Sequence, residues 1–191
     1  MARWEGNARG RLERAALDLF TEQGYDRTTV AQIARRANLT ERSFYRWFPD
    51  KREVLFGGDE MEKQLVTAIE AVPAGTAPLP TLLAAFPSVR EVIRPQEFLR
   101  ERAAVIAANP PLLERELIKL ATLAEALTVA LVDRGCDRQT AQLATDLGLA
   151  VLRLAAQRWL ADERTDIADE RGYLADLLSA CLADLLAVAS A

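Results

Sequence analysis

Apolar positions recur at helical spacing from near the start of the chain. Leu12, Ala16, Leu19 and Phe20 fall on one stripe, which predicts a first helix from about Ala8 to Gln23. Gly24 stands where a left-handed helix C-cap belongs. Thr29 and Gln32 then make a T-x-x-Q capping box, which predicts a short second helix ending near Ala37, with Val30, Ile33 and Ala34 facing inward. Asn38-Leu39-Thr40 reads as a tight turn, because asparagine tolerates the left-handed conformation. Leu39 can plug the core, and Thr40 can cap a third helix from Glu41 to about Phe48. Phe44 and Phe48 lie four apart and so share one side of that helix. Pro49 stops it, since the residue before proline avoids helical geometry.

Asp50 and Glu53 form a further D-x-x-E pair, which predicts a fourth helix from about Lys51 to Val72. The run PAGTAPLP at 73–80 is the clearest break and reads as the link from helix four to the body. Short helices are expected over Thr81 to Phe86 and Pro95 to Ala108. Asn109-Pro110-Pro111 joins a cap to a proline start and opens a long helix to about Arg134, ended by Gly135. Asp137 caps another long helix to about Ala161. A last helix is expected from about Ile167 to Val188, with a stripe of Leu174, Leu177, Leu178, Cys181, Leu182, Leu185 and Leu186. There is no internal repeat.

Half of the 191 residues are hydrophobic, led by Ala and Leu, and only 6% are aromatic, which favours an all-α fold with a sizeable core. The opening MARWEGNARGRLER lacks the apolar run of a signal peptide, and no stretch is long and apolar enough for a membrane span. The chain therefore reads as soluble and cytoplasmic, with no membrane partner. It has no histidine, no glycine-rich phosphate loop and no nucleophile motif, so no catalytic residues are assigned and an enzyme is not expected. Cys136 and Cys181 lack metal-ligand spacing and read as small apolar side chains. The acids Asp162, Glu163, Asp166, Asp169 and Glu170 fall at a loop and helix start, where carboxylates favour the helix dipole. Neither a metal nor a cofactor is expected.

The net charge of −4 is unevenly spread. Residues 1–52 hold eleven Lys/Arg against seven Asp/Glu, a net of +4, which leaves −8 for the remainder. A basic end on an acidic body suits a segment that faces DNA, attached to a domain with another task. Three short helices with a three- to four-residue turn before the third make a helix-turn-helix, whose second helix enters the major groove. That recognition element would be Thr40 to Phe48. Off its Phe44/Phe48 side stand Glu41, Arg42, Ser43, Tyr45 and Arg46. Arginine can fork to guanine, serine can pair with several bases, and Tyr45 suits a phosphate. Thr28 and Thr29, at the start of helix two, and Lys51, just past helix three, are further candidate phosphate contacts.

The wording of this segment resembles the DNA-binding region of the TetR family of bacterial repressors. The resemblance is carried by Ala15 to Tyr25, then Thr28-Thr29-Val30-Ala31-Gln32-Ile33-Ala34, Ala37-Asn38-Leu39-Thr40 and Phe44-Tyr45-Arg46-Trp47-Phe48-Pro49-Asp50-Lys51. It departs from the family where Asn38 replaces the usual turn glycine, Thr40 replaces serine, and Trp47 replaces histidine or tyrosine. The resemblance implies a DNA-binding domain at 1–52 and a helical ligand-binding and dimerisation domain at 53–191, with six further helices. It implies a homodimer formed through the last two helices and a palindromic operator of double-stranded DNA. It also implies repression relieved by a small apolar or amphipathic ligand held between helices four and eight. The lining candidates there are Phe98, Leu117, Leu120, Leu127, Leu147, Val151, Leu154 and Trp159, with Asp146 and Arg153 to orient a polar group. The bland alternative for Asp146 and Arg153 is a solvated or interface stripe. Helix four, running from beside the DNA into the body, would be the lever between ligand and operator. The alternative for the whole chain is a helical dimeric protein-interaction module with a vestigial DNA-binding domain.

Overall fold

The computed structural model describes residues 8–162 and 170–189, and these are all-helical. The helices are α1 (Ala8–Gln23), α2 (Val30–Arg36), α3 (Glu41–Trp47), α4 (Glu60–Ala71), α5 (Pro78–Ala85), α6 (Gln96–Ala107), α7 (Pro110–Asp133), α8 (Arg138–Ala161) and α9 (Glu170–Ala189). Short 3-10 turns cover Glu53–Leu55 and Phe86–Glu91. The chain packs as two compact units. One joins residues 1–58 to residues 96–119, and the other joins 59–95 to 120–191.

In the first unit, α1, α2 and α3 close over Leu12, Leu17, Phe20, Ile33, Phe44 and Phe48, all buried. The caps that set these helices are those the sequence spelled. Gly24 takes φ 87°, and its amide donates to Phe20 O at 3.0 Å. The Thr29 hydroxyl accepts from Gln32 N, while the Gln32 side chain accepts from Thr29 N. Asn38 takes φ 54°, and Leu39 N reaches back to Ala34 O at 2.8 Å. Thr40 caps α3 through Ser43 N. Val105, Ile106 and Leu112, from α6 and the start of α7, complete this core.

The second unit packs Leu65, Ile69, Leu82, Phe86, Leu127, Leu131, Val151, Leu178 and Cys181. Gly148 on α8 admits α5 closely, since a Cβ there would lie 3.0 Å from Leu82 Cδ1 and 3.3 Å from Phe86 Cζ. Thr128 on α7 and Thr145 on α8 are fully buried and share a 3.1 Å hydrogen bond, which satisfies both hydroxyls in the apolar interior.

Three sequence expectations are corrected. Helix four begins at Glu60, not Lys51. After the 3-10 turn, Gly57 takes φ 65° and Gly58 follows, so the backbone leaves the helix before starting it again. The Asp50 carboxylate does accept from Arg52 N and Glu53 N, but it caps only that 3-10 turn. Of residues 73–80, only 73–77 form a turn inside the second unit, between α4 and α5, and Pro78 supplies the first position of α5. The short helix placed at Thr81 to Phe86 instead runs over Pro78–Ala85 and continues as a 3-10 turn. The last helix was expected to start at Ile167, which lies outside the described residues, as do the side chains of Leu174 and of the acids from Glu163 to Glu170.

Candidate nucleic-acid interface

The recognition element is a two-turn helix held by its apolar side. Phe44 and Phe48 are buried to 0% and 2% exposure, their ring centroids 5.4 Å apart. With that side fixed, Glu41, Arg42, Tyr45, Arg46 and Trp47 are exposed, and Ser43 is half-buried beside the Thr40 hydroxyl at 3.0 Å. The Arg46 guanidinium lies over the Trp47 ring, 5.5 Å from its centroid, a cation–π arrangement that holds a flexible arginine near one orientation. Sequence reasoning singled out Arg46 but not this use of Trp47. The signal was present as a bulky aromatic next to an arginine.

Thr29 is exposed at the head of α2, although its hydroxyl and amide are already engaged in the capping box. Thr28 is placed otherwise than a phosphate contact requires. It is 1% exposed, and its hydroxyl donates to Gly24 O at 2.8 Å. Lys51 turns its ammonium inward, donating to Tyr25 O at 2.7 Å and Thr28 O at 2.9 Å. Burial lowers its pKa below the ordinary lysine value, opposed by the charge of Asp26.

Behind this face a polar clamp grips the 3-10 turn after α3. Arg102 of α6 donates to Leu55 O at 2.6 Å and to Glu116 at 2.9 Å, with its guanidinium over Phe56. Arg115 of α7 pairs with Glu53 through both of its carboxylate oxygens, one at 3.0 Å from Arg115 Nη2. Arg14 of α1 bonds Asp18 and Glu101 of α6, which holds its pKa above the ordinary arginine value. No pattern in the sequence marked these pairs, because most of the partners are remote in the chain.

The residues suggested for the ligand do not gather around one space. Leu127 and Val151 are sealed in the core of the second unit, and Leu154 is partly buried against it. Leu120, Leu147, Asp146 and Arg153 are exposed, with Asp146 bonded to Gln142 one turn away. Trp159 is half-buried near the end of α8. Phe98 and Leu117 belong to the first unit, where Phe98 packs on the helix-turn-helix core under Arg14 and Leu117 is exposed. The second unit does carry an open cleft of about 520 Å³ between α4 and α7, lined by Val66, Glu70, Ala126, Val129, Ala130, Asp133 and Arg134. None of those positions was a sequence candidate. Among the described residues no cluster of acids and cysteines is arranged to hold a metal ion, and no helix is long and apolar enough to cross a membrane.

Residues 13–56 match the family model of bacterial regulatory proteins, tetR family. The HTH-type transcriptional regulator TcmR of Streptomyces glaucescens is 38% identical over 108 residues, which are 56% of this chain and 48% of that protein. The chain thus spans about half the length of that curated relative. Across nearly the whole chain the fold is shared with solved regulators. A TetR-family transcriptional regulator from Mesorhizobium loti superposes with TM-score 0.58 at 18% identity, covering 95% of this chain and 96% of that one. The SmeT–triclosan complex gives 0.54 at 22%, covering 93% and 90%. At such identities the likeness is one of fold. Over residues 13–56 the chain is thus similar to bacterial regulatory proteins of the tetR family, and its described residues share the all-helical fold of solved regulators.

Proposed function

We propose that this chain is a transcriptional repressor that binds a palindromic operator as a homodimer and is released by a small molecule. The observation that carries the reading is the polarity of α3. Two phenylalanines root it in the core while Glu41, Arg42, Tyr45 and Arg46 stand in solvent at its outer side, with Thr29, Thr40 and Ser43 at the helix starts beside them. This is the arrangement that lets a short helix read base edges, with arginine forking to guanine. Residues 1–52 would do the reading and 53–191 would dimerise and bind the ligand.

Dimerisation through α8 and α9 is supported by large aliphatic side chains left in solvent there, Leu143 at 58% and Leu147 at 42% on α8, and Leu186 at 54% on α9. Two recognition helices in such a dimer must stand about 34–36 Å apart, or a multiple of that, to enter successive major grooves. For the ligand, the α4–α7 cleft is supported by its size and by a lining that joins apolar Val66, Ala126, Val129 and Ala130 to charged Glu70, Asp133 and Arg134. An amphipathic molecule fits that chemistry, and the SmeT complex with triclosan is a precedent on the same fold. Its pull on α4 would act on DNA through the Gly57-Gly58 joint, with a coupling of ~1–3 kcal/mol typical of such switches.

The test is selection of bound fragments from a random DNA pool with the purified chain at fixed salt. An enriched inverted repeat supports the dimeric reader. Salt-sensitive binding without enrichment refutes it and favours a protein-interaction module that no longer uses its DNA-binding segment.

A further inference from the structure

We propose that Lys51 is a positioning residue for DNA reading, a strut that fixes the α1–α2 turn against the end of the recognition helix and does not grip phosphate. The inference rests on the DNA-binding reading above. An ammonium group has three donors and no acceptor. Here two of them are spent on the carbonyls of Tyr25 and Thr28, at 2.7 and 2.9 Å. The Tyr25 ring lies against the same group, its centroid 4.0 Å from Nζ. With two donors engaged and the ring against it, the half-buried ammonium is directed at the turn and not outward.

The platform beneath Lys51 is closely packed and hydrogen-bonded. Tyr25 is 7% exposed and meets Phe20 edge-on at 5.1 Å. Thr28 N donates to Tyr25 O, and the buried Thr28 hydroxyl closes on Gly24 O, so the two carbonyls sit on one tight turn. That turn delivers Thr29, the cap of α2, while Lys51 follows Phe48 and Pro49 at the end of α3. One cation therefore ties the exit of α1, the entry of α2 and the exit of α3, joining positions 23 and 26 residues apart. Charge-assisted bonds of this kind are about twice as strong as neutral ones and are directional, as a positional constraint requires. Losing them frees α3 to pivot while its phenylalanines stay buried.

The experiment compares the full chain with Lys51→Ala and with Lys51→Gln, which keeps a side-chain donor without the charge. Affinity is measured over a salt series for a fragment enriched from the random pool and for a random-sequence duplex of equal length. The strut predicts that Lys51→Ala loses about tenfold for the enriched fragment, that Lys51→Gln recovers part of this, and that random-duplex affinity and salt slope stay at the wild-type values. Equal loss on both duplexes with the slope reduced by about one would make Lys51 a phosphate anchor and overturn the proposal. Wild-type binding by both variants would overturn it too. Amide exchange in the DNA-free chain separates this from failure of the DNA reading. Lys51→Ala should speed exchange at residues 28–33 whether or not the wild type enriches any fragment, and unchanged exchange there would remove the strut itself.

Discussion

The Glu53–Arg115 pair gives an asymmetric prediction that follows from unequal burial. The Glu53 side chain is 11% exposed and that of Arg115 25%, and they meet through two parallel N–H···O contacts. Hydrogen bonds to charged groups contribute ~1.5–3 kcal/mol, and breaking a fully buried pair costs ~3–5 kcal/mol because a charge is stranded. Arg115→Met strands the more buried partner, the Glu53 carboxylate, and should cost about 3 kcal/mol. Glu53→Gln strands the guanidinium, which is wet enough to recover hydration, so about 1–2 kcal/mol is expected. The double variant should lose less than the two singles together, with a coupling of about 1–2 kcal/mol. Urea denaturation of the four proteins, followed by helical signal, measures all three quantities. A larger loss for Glu53→Gln, or strict additivity, would refute the reasoning that this clamp is a desolvated ion pair. DNA affinity of Glu53→Gln is a second readout, because Glu53 holds the turn that follows the recognition helix.

Further outcomes can be checked independently. Arg42→Ala or Arg46→Ala should relax base preference by ~1–3 kcal/mol in a binding-site selection if that arginine forks to guanine, and an unchanged preference for both would remove α3 as the reader. Thr128→Val should destabilise by ~1–2 kcal/mol by leaving Thr145 short of a partner, whereas Thr128→Val with Thr145→Val should be close to neutral in thermal melts. Asp137 caps α8 by accepting from Thr140, a bond that holds its carboxyl below the ordinary aspartate range. Its stabilisation is thus complete above the ordinary carboxylate pKa and is lost as pH falls through the depressed one. Asp137→Asn, which still caps, should remove this contribution to the acid-side slope of a pH–stability curve.

Local chemistry fixed what could be read without coordinates. The Thr29–Gln32 capping box, Asn38, the Thr40 cap and Gly24, Gly135 and Asp137 set their helix ends within the nearest turn of chain, and each did so where the sequence indicated. The two inward phenylalanines likewise determined which side of α3 faces solvent, because residues four apart share a side of a helix. Tertiary structure decided whatever depends on groups distant in sequence. Lys51 reads in the sequence as a candidate phosphate contact, whereas the fold places two carbonyls from more than twenty residues away beside it. Arg102 and Arg115 carry no local signal of their partners, and folding sets them on Leu55 and Glu53. The long leucine-rich helices spell amphipathicity but not which neighbour each side meets, so Leu127 became core, Leu147 surface and Phe98 part of the helix-turn-helix unit. Caps and turns are settled by bonds within a few residues. The direction of a charge and the occupant of an apolar face are settled by which helices pack together, and no local pattern carries that information.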